Sequence, residues 1–233
     1  MLELVFAAAL IAAPVQDDEE PPCSSYGTDD TLSIGAAVAP ARPGGELSLH
    51  ANEALHGMVA VPLKCFSRWT SSDPAVTIDA ERGKIVIAPE ATPGRDVEIT
   101  GTVGDRTVRT RFRIAPAEGP VLTGFWSQES VDCHGPVPRD PLRELRFSSD
   151  GKFAVTFVPF EVRQDYWGAV EFDPAARRIG FVVERGNTVP THLMLEGQAR
   201  VEGENRLFLD GVYFGGLDVP PPAEGCRYVF RKR

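Results

Sequence analysis

The residues from Val121 to Arg233 read as about eight short strands in succession, opening on Gly124-Phe125-Trp126 and bracketed by Cys133 and Cys226. A chain that alternates apolar and polar residues this persistently, without a helical period, must bury one face of a sheet. Closing the sheet on itself buries that face and removes both edges, so the pattern predicts an eight-stranded up-and-down antiparallel β-barrel. Strands are expected at 121–128, 142–147, 152–160, 166–172, 179–184, 192–201, 206–214 and 226–231. Asp150-Gly151 signals a tight hairpin, and Asp173-Pro174 with Arg177-Arg178 marks another turn. Alternation points Phe153, Val155, Phe157, Ile179, Phe181, Val183, Leu193, Leu195, Ala199, Leu207, Leu209 and Tyr213 inward. Glu184, Glu196, Gln198, Arg200 and Asp210 then face solvent.

The four cysteines allow three pairings. In a closed meander the first and last strands are antiparallel neighbours, so the end of the first lies beside the start of the eighth. Cys133 falls just past the first strand and Cys226 opens the last, which favours Cys133 with Cys226 and leaves Cys23 for Cys65. Without a Cys-x-x-Cys pair or matching histidine spacing, disulfides in an oxidising compartment fit better than a zinc site.

The front half is also read as β structure. Its clearest element spans 96–114, where Val97, Ile99 and Val103 alternate with polar residues, Gly104-Asp105 turns the chain, and Val108, Phe112 and Ile114 alternate back. Further strands are expected at 32–38, 46–51, 58–63, 66–70, 76–78 and 84–87, enough for a two-sheet sandwich. Arg109, Arg111 and Arg113 share one face of the last strand and are expected to line a solvated, edge-protecting surface. The connector Pro116-Ala117-Glu118-Gly119-Pro120 marks a boundary. The domain reading is a signal-peptide-like segment at 1–16, an acidic and proline-containing tail at 17–30, a sandwich at 31–115, a linker at 116–120 and a barrel at 121–233.

Residues 4–13 form an apolar run of signal-peptide length, too short to span a bilayer, so export to the periplasm or beyond is expected, with no transmembrane span in the mature chain. The net charge of −9 argues against nucleic acid, whose phosphates require a basic partner. The run Asp17-Asp18-Glu19-Glu20 lacks the glycine turn and spacing of a calcium loop.

Two resemblances follow from these residues. Trp69-Thr70-Ser71-Ser72-Asp73-Pro74, then Gly83-Lys84-Ile85, Ala91-Thr92-Pro93-Gly94 and the hairpin resemble the bacterial immunoglobulin-like domains of surface and adhesion proteins, over about residues 30–115. That resemblance implies a spacer or interaction module without chemistry of its own. Gly124-x-Trp126, the eight-strand meander and a basic residue closing the last strand resemble the lipocalin and calycin barrels, over about residues 120–233. In that group the tryptophan plugs one barrel end beneath a basic side chain. Here the candidates are Arg231 and Lys232, of which Lys232 is in register if Tyr228 and Phe230 point inward.

An eight-stranded barrel either fills with its own side chains or holds one small ligand. Space left inside would have an apolar lining, so the expected ligand is a small apolar molecule contacting Trp126, Phe153, Phe157, Phe181, Leu195, Leu209, Tyr213 and Tyr228, with the loops at 186–190 and 214–216 near the mouth. The alternative is a filled barrel acting through its surface as an adhesion, inhibitor or other interaction module toward another envelope protein. No catalytic signature, cofactor fingerprint or metal-ligand spacing is present, and the expectation is a non-enzymatic protein. His50, His56, His134, His192 and the loop acids Glu161 and Asp165 are read as ordinary solvated side chains.

Overall fold

The computed structural model describes residues 22–27, 31–36, 38–53, 59–133, 142–157, 166–215 and 223–233. The apolar run at 4–13, the acidic run at 17–20, His56, His134, Glu161, Asp165 and Gly216 lie outside the described residues. The first eight strands are β1 (Ser33–Ala36), β2 (Glu46–Glu53), β3 (Val59–Ala60), β4 (Arg68–Ser71), β5 (Val76–Asp79), β6 (Lys84–Ile87), β7 (Asp96–Val103) and β8 (Arg106–Arg113). One sheet runs β1-β2-β6-β5 with β3 also on β2, and a second runs β4-β7-β8. Both contribute to one core, in which Leu47, Ile85 and Ile87 of the first sheet join Val97, Ile99 and Phe112 of the second. Burial alternates residue by residue along β2 and β7, as a two-sheet sandwich requires.

The segment around Asp73 is held by its own polar side chains. Asp73 is buried, accepts the Ala75 N–H at 2.9 Å and pairs with Arg95 at 3.1 Å, while the Ser72 hydroxyl accepts the Glu98 N–H at 2.9 Å. These contacts fasten the β4–β5 turn to β7. Phe66 stacks on Trp69 with ring centroids 4.4 Å apart, and Cys23 bridges to Cys65 across a Cα separation of 5.1 Å.

The remaining strands are β9 (Gly124–Cys133), β10 (Glu144–Phe147), β11 (Lys152–Thr156), β12 (Tyr166–Asp173), β13 (Arg178–Gly186), β14 (Glu196–Glu202), β15 (Arg206–Val212) and β16 (Cys226–Lys232). All eight close into an antiparallel barrel in sequence order, with β16 returning to β9. Cys226 lies in register opposite Cys133, and the two are bridged at a Cα separation of 4.2 Å. The expected pairings and closed seam are both present. Turns of three or four residues join β10 to β11, β12 to β13 and β14 to β15 at one end, while nine to thirteen residues separate successive strands at the other. Among the described residues no helix is long and apolar enough to cross a membrane.

Several boundaries differ from the sequence expectation. β9 continues to Cys133 because it pairs with β16 along its length, so this cysteine ends the strand instead of following it. β14 begins at Glu196, not at 192, because only Arg178, Ile179 and Gly180 of β13 have register partners on it. Val183, Leu193 and Leu195 are half-buried against the core. β11 ends at Thr156, and the residues expected to extend it past Phe157 lie outside the described residues. Around Gly211 the register of β15 shifts, so Val212, Tyr213 and Phe214 are all buried in succession.

Candidate functional site

The eight residues expected to line a ligand chamber all belong to the barrel core. Trp126, Phe153, Phe157, Phe181, Leu209, Tyr213 and Tyr228 are buried, and Leu195 packs against them half-buried. What surrounds them is other side chains. Phe181 meets Phe153 edge-on at 5.0 Å and Phe214 at 5.3 Å, and Phe214 meets Tyr228 at 5.4 Å, all between ring centroids. Phe147 and Tyr166 extend this set, each 6.2 Å from a ring within it, and Phe230 stacks on Tyr228 at 5.8 Å. These are separations at which aromatic rings touch, so the rings form one contiguous cluster in the barrel core. Burial of each such ring stabilises the barrel by about 1.5–3 kcal/mol relative to exposure.

Phe214 is the residue whose role the sequence does not betray. It was read as the end of a strand framing a loop, yet the shift at Gly211 turns it into the barrel, where it is fully buried. Its carbonyl accepts the Tyr166 hydroxyl at 2.8 Å. Burial pushes the Tyr166 phenol well above its ordinary value, with Tyr228 adding to the rise. Burial likewise raises Tyr228, opposed by a hydrogen bond with the Phe214 backbone, and also raises Tyr213. Phenols held neutral by an apolar surround are anchors for the chain that crosses them and poor general acids at neutral pH.

The opposite end is closed by Trp126 and Lys232. The Trp126 indole N–H donates to the Leu122 carbonyl at 2.7 Å, which fixes the ring. Lys232 lies in register with Trp126, and its Nζ sits 5.2 Å from the ring centroid. The alternative candidate, Arg231, points outward and pairs with Glu129 at 2.5 Å. Desolvation lowers the Lys232 ammonium below the usual lysine range, reinforced by Arg42. Gly124, at φ +143, leaves the space that the lysine stem fills: a Cβ there would run into Lys232 Cε.

Between the β4-β7-β8 sheet and the tight-turn end of the barrel lies an open cleft of about 1420 Å³. One wall presents Arg111 and Arg113, the other Glu171, Arg178 and Glu196. The arginine ridge is not a free cationic surface. Arg109 and Arg111 pair with Glu98 at 3.8 and 2.7 Å, and Arg113 pairs with Asp96 at 2.7 Å. Arg113 holds the Asp96 carboxyl below the usual carboxylate range, chiefly through their hydrogen bond. Each of the three arginines is thus ion-paired within its own hairpin, two of them sharing Glu98. His50 and His192 are exposed, and among the described residues no cluster of three or more His, Cys, Asp or Glu side chains is placed to hold a metal ion.

Comparison with protein-family models, with curated proteins and with solved structures found no match to this chain. The class is therefore defined by architecture alone: an all-β chain whose two front sheets share one core and precede a closed eight-stranded antiparallel barrel.

Proposed function

We propose that this protein is an exported, non-enzymatic interaction module, with a barrel of the lipocalin and calycin type presented by an immunoglobulin-like sandwich, and that it acts through its outer surface. The observation that carries this reading is the aromatic cluster from Phe147 to Phe230, whose rings contact one another where an enclosed apolar ligand would sit. A carrier would need that volume empty. Export is supported by two disulfides, which persist in oxidising compartments.

Native mass spectrometry of the protein recovered from its exported fraction tests the reading. The expected result is the bare chain mass, lowered by the four hydrogens of two disulfides. A discrete added mass that disappears on denaturation would instead establish an internal ligand and return the function to transport of a small apolar molecule.

A further inference from the structure

The described residues include five large hydrophobic side chains that stay exposed, and three of them, Phe125, Trp167 and Val182, lie on one flank of the barrel. The register shows how they are arranged. Phe125 of β9 is opposite Arg146 of β10, Arg146 is opposite Ala154 of β11, Ala154 is opposite Trp167 of β12, and Trp167 is opposite Arg185 of β13. Their neighbours Trp126, Leu145, Phe147, Phe153, Val155 and Tyr166 are buried, so this row faces outward. It reads aromatic, arginine, alanine, aromatic, arginine across five strands. Val182, opposite Ala169 of β12, widens the apolar ground beside Trp167.

Among the described residues the charge on this row is uncompensated. Among the described residues neither Arg146 nor Arg185 has an ion-pair partner, whereas Lys152, on the same flank, is paired with Glu184 at 2.5 Å. The row is thus a locally cationic strip on a chain of net charge −9. Every strand beneath it is hydrogen-bonded on both sides, so no free edge is offered to an extended peptide, and recognition must come from side chains. Flat aromatic faces receive ring-shaped ligands, and guanidinium forks bind carboxylates in bidentate fashion. A polysaccharide of uronic acid residues on this row would offer sugar rings to Phe125 and Trp167 and carboxylates to Arg146 and Arg185.

We propose that this flank is a binding surface for an acidic polysaccharide, with Phe125 and Trp167 stacking against sugar rings and Arg146 and Arg185 holding their carboxylates. The proposal rests on the surface-acting reading above and specifies its partner.

The test uses the full chain with alginate, a polyuronate, as the probe, neutral dextran and poly-L-glutamate as comparisons, and calorimetry as the readout. Saturable alginate binding is expected, with little to dextran and at least tenfold weaker binding to poly-L-glutamate. Trp167→Ala, and separately Arg146→Ala with Arg185→Ala, are each expected to weaken alginate binding at least tenfold with circular dichroism unchanged. Arg109→Ala, on the ion-paired ridge, is expected to leave it unaltered. Equal affinity for poly-L-glutamate would overturn the proposal in favour of an acidic protein partner. Absence of alginate binding by the folded wild type would also overturn it, as would binding indifferent to Trp167→Ala. Loss of the flank variants' solubility would be answered by Trp167→Phe, which keeps a platform and should retain binding. A bare mass in native spectrometry with no alginate binding removes this surface alone, whereas an internal ligand removes the broader reading.

Discussion

At the scale of single residues, the two ends of the barrel are held by different chemistry. Gly124 combines a φ of +143 with contact against the Lys232 stem, so Gly124→Ala adds both backbone strain and a collision. Its expected cost is about 1–3 kcal/mol in urea unfolding. In a Lys232→Ala background the collision is gone while the strain persists, and the two substitutions should be coupled by about 0.5 kcal/mol or more. At the other end, Tyr166 titrates far above its ordinary 10.0 in the folded chain and near it in the unfolded chain. The folded state therefore keeps a proton that the unfolded state releases, and stability falls as pH rises beyond 10. Tyr166→Phe should be less stable than wild type at pH 8, by about 1–3 kcal/mol for the orphaned Phe214 carbonyl. Its urea midpoint should nonetheless decline less between pH 10 and 11.5.

At the scale of elements, strand register carries the design. The β12–β13 pair shifts between Trp167 and Gly168, and the close approach of the Val182 carbonyl to Gly168 leaves no room for a Cβ. Gly168→Ala must displace backbone rather than a flexible side chain, so it should destabilise by about 3 kcal/mol or more, read as a fall in urea midpoint. The seam between β9 and β16 is covalent as well as hydrogen-bonded. Replacing both Cys133 and Cys226 with serine should lower stability by about 2–4 kcal/mol, because the open chain regains the entropy that the bridge withheld. Chemical unfolding of the double variant under oxidising conditions checks this.

At the scale of the whole molecule, Arg42 fastens the connector between the two cores. Arg42 donates from its guanidinium to the Pro116 carbonyl at 2.5 Å and to the Gly119 carbonyl at 2.7 Å, and the Arg113 N–H donates to the Ser149 carbonyl at 3.3 Å. Arg42→Ala frees the connector, and proteolysis after the exposed Glu118 should accelerate by roughly tenfold or more, the factor expected from about 1.4 kcal/mol of lost local stability. Limited digestion with a glutamate-specific protease measures it.

The barrel, its strand count and the Cys133–Cys226 seam were legible in the sequence because they follow from period-two alternation and the closure it implies, whereas the tryptophan plug under a basic side chain came from the resemblance to lipocalin and calycin barrels, with alternation favouring Lys232 over Arg231. The inward set of β11 and the start of β13 were read from the same signal. Where alternation breaks, it no longer tells which side chains are buried. Phe214 was placed in a mouth loop because the register shift at Gly211 depends on what β16 offers across the strand gap, not on local sequence. The arginine ridge was visible as three alternate residues, but its ion pairing with Asp96 and Glu98 depends on side chains meeting across the hairpin. The outward row from Phe125 to Arg185 spans five strands, and no linear pattern announces it. The sequence by itself determined which faces are buried and how the chain closes, since both follow from local periodicity. Only the tertiary structure decided which rings meet inside the barrel, which charges are already paired and which distant residues line up, because those depend on side chains meeting across strands.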